Sequence, residues 1–138
     1  MRTKTLLLFV FLLTGIAFSQ NEGSGRISFE RITQAFRMPT EQSMGQLLES
    51  WGYEIMSSGY YMKGDESFRI IVDYEEKTAY YWENAASKER RDEIKSQAIE
   101  AGLKVESAMG TRDVRMRGKG YSVSLNGNGS INIQKLKK

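Results

Sequence analysis

Two stretches of this chain repeat the same order of a helix, a glycine and a strand. The first is residues 46–55, around Gly52, and the second is residues 95–105, around Gly102. Glycine lacks a β-carbon and therefore accepts the left-handed backbone conformation that often follows the end of a helix. Because the pattern recurs after 50 residues, it favours two copies of one structural unit.

Each glycine is followed by four short segments with the alternation and composition of β-strands. They are residues 53–57, 59–63, 67–73 and 78–83 after Gly52, and residues 103–107, 112–117, 120–125 and 130–135 after Gly102. The last two segments are joined by residues 126–129, Asn-Gly-Asn-Gly, which accept the positive φ of tight hairpin turns. We therefore predict an α+β fold, a tandem repeat of two units, each one helix packed on a four-stranded antiparallel sheet.

The helices of the two units have recognisable starts. Pro39 or Thr40 begins the first, since proline is tolerated in a first helical turn, and residues 84–87 begin the second. Ahead of both, residues 28–37 predict a further short helix. Its apolar side chains recur at helical spacing on one face, at Phe29, Ile32 and Phe36.

The N-terminal residues have the three-part pattern of a secretory signal peptide. Arg2 and Lys4 precede an apolar run over residues 6–16, which is too short to span a bilayer comfortably. Small residues then precede a cleavage site between Ser19 and Gln20. We expect cleavage and export to the periplasm or cell exterior, with an uncleaved anchor as the alternative. The predicted organisation is a signal peptide (1–19), a flexible leader (20–27), a first unit (28–84) and a second unit (85–138).

The chain contains no cysteine and no histidine. An exported protein without disulfides is held together by its core alone, which is more typical of bacteria than of animal secretion. The same absences exclude Ser–His and Cys–His nucleophile pairs and the commonest metal ligand. Carboxylates remain between Asp65 and Glu76, but they lie at predicted turns. We therefore expect a protein that is not an enzyme and uses no cofactor or metal.

Charge is divided unevenly along the chain. Residues 20–100 hold ten basic and fifteen acidic side chains, whereas residues 101–138 hold eight basic and two acidic ones. Such a division offers two faces to a partner or to a second copy, and solvated surfaces without a partner are the alternative. Since export argues against nucleic acid, we expect the basic residues between Arg112 and Lys119 to face an acidic protein or an anionic glycan.

Strand alternation assigns the side chains to two faces of the sheet. We place Tyr60, Tyr80 and Trp82 on the face that the helices cover. The opposite face carries six residues that we predict to bind a macromolecular partner, namely Tyr61, Arg69, Ile71, Tyr81, Arg115 and Arg117. Tyrosine and arginine are enriched in interface cores, which supports this prediction. Packing of the two units against each other is the alternative.

The predicted order of elements over residues 40–135 resembles that of secreted bacterial β-lactamase inhibitor proteins, which use tandem helix-and-sheet repeats with an aromatic-rich sheet face. The resemblance extends to no sequence motif, and those proteins carry disulfides that this chain lacks. It implies an inhibitor- or immunity-type role.

Three functions are consistent with these patterns. The leading expectation is an exported, non-enzymatic protein that presents a sheet face to a macromolecular partner, with no membrane span after cleavage. The alternatives are a self-associating component of the cell envelope and a carrier of a small ligand held between the helices and the sheet.

Overall fold

Within residues 24–57, 59–109 and 113–137, which the computed structural model describes, three helices cover one face of an eight-stranded antiparallel sheet. The helices are α1 (Phe29–Phe36), α2 (Glu41–Ser50) and α3 (Lys88–Glu100). The strands are β1 (Glu54–Ser57), β2 (Tyr60–Lys63), β3 (Glu66–Asp73), β4 (Thr78–Glu83), β5 (Lys104–Met109), β6 (Asp113–Gly118), β7 (Tyr121–Leu125) and β8 (Ile131–Lys135). The predicted α+β class is confirmed. The signal peptide predicted over residues 1–19 lies outside the described residues.

The strands follow the order β1-β2-β3-β4-β8-β7-β6-β5. Each group of four consecutive strands forms an antiparallel meander, and the two meanders join where β4 pairs with β8, with Tyr81 opposite Ile133. The strands therefore form one continuous sheet, with β1 and β5 at its two edges.

Polar side chains begin each helix. The hydroxyl groups of Ser28, Thr40 and Ser87 each accept a hydrogen bond from a backbone N–H in the first turn of α1, α2 and α3, at 3.0 to 3.2 Å. At the start of α2, Ser43 also accepts the N–H of Thr40, which completes a capping box. These three starts agree with the predicted ones, because a capping side chain is a local signal.

The ends of α2 and α3 share one geometry. Gly52 and Gly102 have φ values of 93° and 103°, in the region that favours glycine. In both cases the residue after the glycine donates its N–H to a carbonyl five residues earlier, at 3.1 and 3.0 Å. The predicted helix stops at these two glycines are confirmed.

Gly118, at the end of β6, is a position where we expect a methyl group to be costly. A β-carbon there would lie 2.9 Å from the carbonyl oxygen of Gly102 and 3.0 Å from the α-carbon of Leu103. We expect Gly118→Ala to lower the free energy of unfolding, measured in urea, by more than the ~1–2 kcal/mol of an ordinary side chain at positive φ. Gly64→Ala is the control, since its β-carbon would meet no atom within 4 Å. Equal losses for the two variants would contradict this packing argument.

The core lies between the helices and the inner face of the sheet. The predicted apolar face of α1 is confirmed, because its three side chains are at most 3 % exposed. The sheet contributes buried side chains from six strands, including Tyr61, Phe68, Ile70, Tyr81, Val114, Met116, Val123, Leu125, Ile131 and Ile133. At the centre, burial raises the pKa of Tyr81 well above its ordinary value, and the neighbouring carboxylate of Glu83 adds to the shift.

Buried charged groups hold the segment that leads into α1. Arg90 on α3 donates hydrogen bonds to the carboxylate of Glu83 at 3.0 to 3.2 Å and to the carbonyl of Ile27 at 2.8 Å. Glu66 accepts the backbone N–H of Ile27, also at 2.8 Å. Ile27 itself is 2 % exposed, although the sequence placed it in the leader of residues 20–27. Ile27, before α1, is thus packed into the fold.

Candidate functional site

One face of the sheet is free of helices in the described part of the chain, and we call it the open face. The covered face is identified by Tyr121, whose ring centroid lies 6.0 Å from that of Phe29 and 6.5 Å from that of Phe36 on α1. Positions that alternate with these buried side chains point to the other side. The open face includes Tyr60, Met62, Arg69, Ile71, Tyr80, Trp82, Lys104, Arg115, Arg117, Ser122, Ser124, Asn132 and Gln134, together with the acidic residues Glu54, Asp73 and Asp113.

Strand pairing arranges most of these side chains in two rows that cross the sheet. The first row is Tyr60, Arg69, Trp82, Asn132, Ser124 and Arg115. The second row is Ile71, Tyr80, Gln134, Ser122, Arg117 and Lys104. Because neighbouring strands are about 4.8 Å apart, the backbones of Arg69 and Arg115, four strand spacings apart, are separated by about 19 Å.

The two halves of the open face differ in character. Strands β2 to β4 contribute aromatic and aliphatic groups, among them Tyr60, 40 % exposed, and Ile71, 44 % exposed. Strands β6 to β8 contribute hydroxyl, amide and guanidinium groups. The halves are linked where the Tyr80 hydroxyl donates to Oδ1 of Asn132 at 2.6 Å. The open face thus combines an apolar area with a polar, cationic one.

The arginines of the open face differ in their partners. The guanidinium carbon of Arg69 lies 5.1 Å from the ring centroid of Tyr60, within cation–π range. Its Nε is buried and has no hydrogen-bond partner among the described residues. Within the same residues, neither Arg69 nor Arg115 forms an ion pair, whereas Arg117 lies 3.6 Å from Glu106. Two of the three guanidinium groups therefore carry charge that no carboxylate of the described chain balances.

The structure places four of the six predicted partner-binding residues on the open face, namely Arg69, Ile71, Arg115 and Arg117. The exposure predicted for the other two is wrong. Tyr61 is 3 % exposed and Tyr81 is 0 % exposed, and both lie in the core. Their sequence neighbours Tyr60, Tyr80 and Trp82, which we expected beneath the helices, take their place on the open face.

This inversion has a physical cause. Strand β2 contains Tyr-Tyr-Met and β4 contains Tyr-Tyr-Trp, so large apolar groups occupy both faces and alternation does not distinguish them. Pairing with β3 does distinguish them, because directly paired residues share a face. Tyr61 pairs with Phe68, and Tyr81 pairs with Ile70. The clear alternation of apolar and polar residues in β3 was therefore the signal that could have corrected the face assignment of β2 and β4.

A groove on the helix side bears on the carrier alternative. It is lined by residues of α1, α3 and the turns at one end of the sheet, including Thr33, Gln97, Lys119 and Tyr121. Acidic and basic side chains both line it, so its charge selects no ligand class. Among the described residues, no group of three or more acidic side chains is placed to hold a metal ion. No helix in the same part of the chain is long and apolar enough to cross a membrane.

No protein-family model, no curated protein and no solved structure matches this chain.

Proposed function

We propose that this protein is an exported, non-enzymatic binding protein that presents its open face to a protein partner. The observation that carries the proposal is the first row of the open face, where Tyr60, Arg69 and Trp82 lie side by side on paired strands. Tyrosine, tryptophan and arginine are the residues in which binding energy most often concentrates, because they bury large areas at limited entropic cost. Positions on paired strands also hold these side chains more rigidly than a loop would.

The dimensions of the open face support a macromolecular partner. Eight strands spaced about 4.8 Å apart cover about 34 Å, and five residues of a strand extend for about 17 Å. A corrugated surface of that outline offers an accessible area of the order of the ~800 Å² that each partner contributes to a typical protein complex. A small ligand would leave most of it uncovered.

An inhibitor- or immunity-type role is the specific form of this proposal. A surface of this size covers a corresponding area on another protein and so blocks access to it. Export remains part of the proposal and is supported by the sequence pattern of residues 1–19 alone.

We also propose that residues 28–84 and 85–138 are two copies of one unit, as the sequence suggested. Strands β1 and β5 support this, because each carries a register shift against its partner at the same place. The shift follows Ile55 in one and Val105 in the other, 50 positions apart. Bulges of this kind are specific features of a strand and not defects, so their recurrence favours a repeat.

A second correspondence lies at the helix ends. The side chain of Lys63 lies 3.2 Å from the position of a β-carbon on Gly52, and that of Lys119 lies 2.8 Å from the same position on Gly102. Among the described elements, helix α1 has no counterpart in the second unit. It packs on β4 and on both other helices. It covers the place where the two units meet.

The proposed function predicts which substitutions remove a partner. We expect Tyr60→Ala combined with Trp82→Ala to weaken capture of a stoichiometric protein from envelope and culture fractions by at least about 30-fold, since a hot-spot residue contributes about 2 kcal/mol or more. Binding is measured by titration of the captured protein, and folding by circular dichroism. Because Tyr60 is exposed and Trp82 is partly exposed, the fold should persist.

The matched control lies on the opposite side of the molecule. Glu30→Ala combined with Gln34→Ala changes two exposed side chains of α1 and should leave capture unchanged. Loss of the partner in this control, or its retention in the open-face variant, would show that another surface binds it.

A further inference from the structure

We infer that the partner presents an acidic protein surface, with carboxylates that meet Arg69 and Arg115 and apolar groups that cover the area between β2 and β4. This inference rests on the proposed function and adds the chemistry of the partner to it. It draws on three observations: the sign of the charge in the two rows, the missing hydrogen-bond partner of Arg69, and the spacing of the arginines.

The charge of the two rows has one sign. They contain the cations Arg69, Lys104, Arg115 and Arg117, and neither row contains an aspartate or a glutamate. The carboxylate of Glu106 lies at the edge strand β5 and approaches Arg117 alone. Complementary charge across an interface steers association and excludes partners of like charge. The acidic residues of the open face, Glu54, Asp73 and Asp113, lie at strand ends outside the two rows, so the middle of the face favours an anionic partner.

The guanidinium group of Arg69 is held in place but lacks a hydrogen-bond acceptor for its Nε among the described residues. Tyr60 covers one side of its guanidinium group, and the buried Nε donates no hydrogen bond to any described residue. An unsatisfied buried donor costs free energy that a carboxylate from outside would offset. Guanidinium binds carboxylate through parallel hydrogen bonds in a planar fork, and aromatic contact on one face leaves that fork in a defined orientation.

The spacing distinguishes a protein from a small acid. Arg69 and Arg115 lie in one row about 19 Å apart, farther than the carboxylates of a small dicarboxylic acid extend. Trp82, Asn132 and Ser124 lie between them in the row, and Ile71, 44 % exposed, and Met62, 38 % exposed, lie on the side of Arg69. Burying aliphatic groups such as these against apolar protein side chains is favourable, whereas an anionic glycan would cover them with hydroxyl groups. The combination favours an acidic protein surface.

Two soluble polymers provide the test. A random copolymer of glutamate and tyrosine offers carboxylates together with apolar rings, and polygalacturonate offers carboxylates on a glycan. Each is titrated into ¹⁵N-labelled protein while the backbone amide signals are followed by NMR. We expect the copolymer to shift signals of β3, β4 and β6 selectively, with an affinity that falls as salt is raised. We expect polygalacturonate to bind at least tenfold more weakly.

Charge-removing variants complete the test. Arg69→Gln with Arg115→Gln should weaken copolymer binding at least tenfold. Arg37→Gln with Lys88→Gln removes the same charge from exposed positions at the ends of α1 and α3 and should weaken it less than twofold. Equal effects of the two pairs, absence of copolymer binding, or tighter binding of polygalacturonate would each overturn the inference.

Capture of the natural partner by the two pairs of variants distinguishes a failure of this inference from a failure of the proposed function. A partner that is lost with the Tyr60 and Trp82 substitutions but retained with the Arg69 and Arg115 substitutions would overturn the acidic surface and leave the binding face in place. Loss with both pairs supports the two proposals together.

Discussion

Arg90→Met is expected to lower the free energy of unfolding by about 3–5 kcal/mol, the usual cost of breaking a buried ion pair by removing one partner. The Arg90 side chain is 1 % exposed and that of Glu83 is 2 % exposed. Without the guanidinium group, the carboxylate of Glu83 stays buried without its cation, and the carbonyl of Ile27 loses its donor. Urea unfolding followed by tryptophan fluorescence measures the loss.

Lys88→Met is the matched control because it lies on the same helix and also removes a cation from an ion pair. Its partner is Asp92 at 3.0 Å, and the Lys88 side chain is 83 % exposed. An exposed pair of this spacing contributes about 0.3–0.5 kcal/mol. If Arg90→Met cost no more than Lys88→Met, the buried network would not hold the fold together as we argue.

The double variant Glu83→Met/Arg90→Met separates the ion pair from its surroundings. Apolar residues in place of a buried ion pair are often neutral or stabilising, so the double variant should be more stable than Arg90→Met alone. The double variant should regain only part of the lost free energy of unfolding, because the Tyr81 hydroxyl donates to Glu83 at 2.6 Å and loses that acceptor. A double variant less stable than Arg90→Met would contradict this account.

The predicted helices and strands agree with the structure because each boundary carries its own local signal. Gly52 and Gly102 end helices, and the Asn-Gly-Asn-Gly segment joins β7 and β8. Caps and turns depend on a few neighbouring residues, so they can be recognised from sequence. The pairing of β4 with β8 depends on residues some fifty positions apart. No local pattern shows whether two meanders form one sheet or two.

The interactions of the buried charged residues are the part of the fold that could not be predicted from the sequence. Glu66 and Arg90 bind backbone atoms of Ile27 across 39 and 63 positions of the chain. A backbone N–H or carbonyl is present at nearly every residue, so it leaves no sequence signal for such a partner. Charged residues are ordinarily exposed, so the burial of Glu83 and Arg90 could not be expected from their type alone.

The sequence predicted that the candidate site is a face of the sheet, and it placed some of the residues of that face correctly. Arg69, Ile71, Arg115 and Arg117 were placed correctly because β3 and β6 alternate clearly between buried and exposed side chains. The burial of β4 alternates as well, but its adjacent aromatic residues are similar in hydrophobicity, so the sequence does not show which of them are buried. A one-residue change of register exchanges the two faces, so the prediction failed where the register alone decides.

The two faces of β4 should therefore respond differently to substitution. Tyr81→Ala should lower the free energy of unfolding by about 3–5 kcal/mol, as large-to-small changes of buried aromatic residues do. Tyr81 is 0 % exposed, and its ring centroid lies 5.2 Å from that of Phe68. Its hydroxyl also donates to Glu83, which would lose that bond. Thermal and urea unfolding measure the loss. The sequence placed Tyr61 and Tyr81 on the partner-binding face, but both are buried, so we expect Tyr61→Ala with Tyr81→Ala to unfold the protein.

Tyr80→Ala is the adjacent control on the same strand. Tyr80 is partly exposed and its hydroxyl bonds Asn132 on the open face, so its removal should cost about 1 kcal/mol of stability. Its main effect should instead be weaker binding of the partner. If Tyr80→Ala destabilised the protein as much as Tyr81→Ala, the two faces of β4 would be assigned the wrong way round. The open face would then lose the aromatic residues on which the proposed function depends.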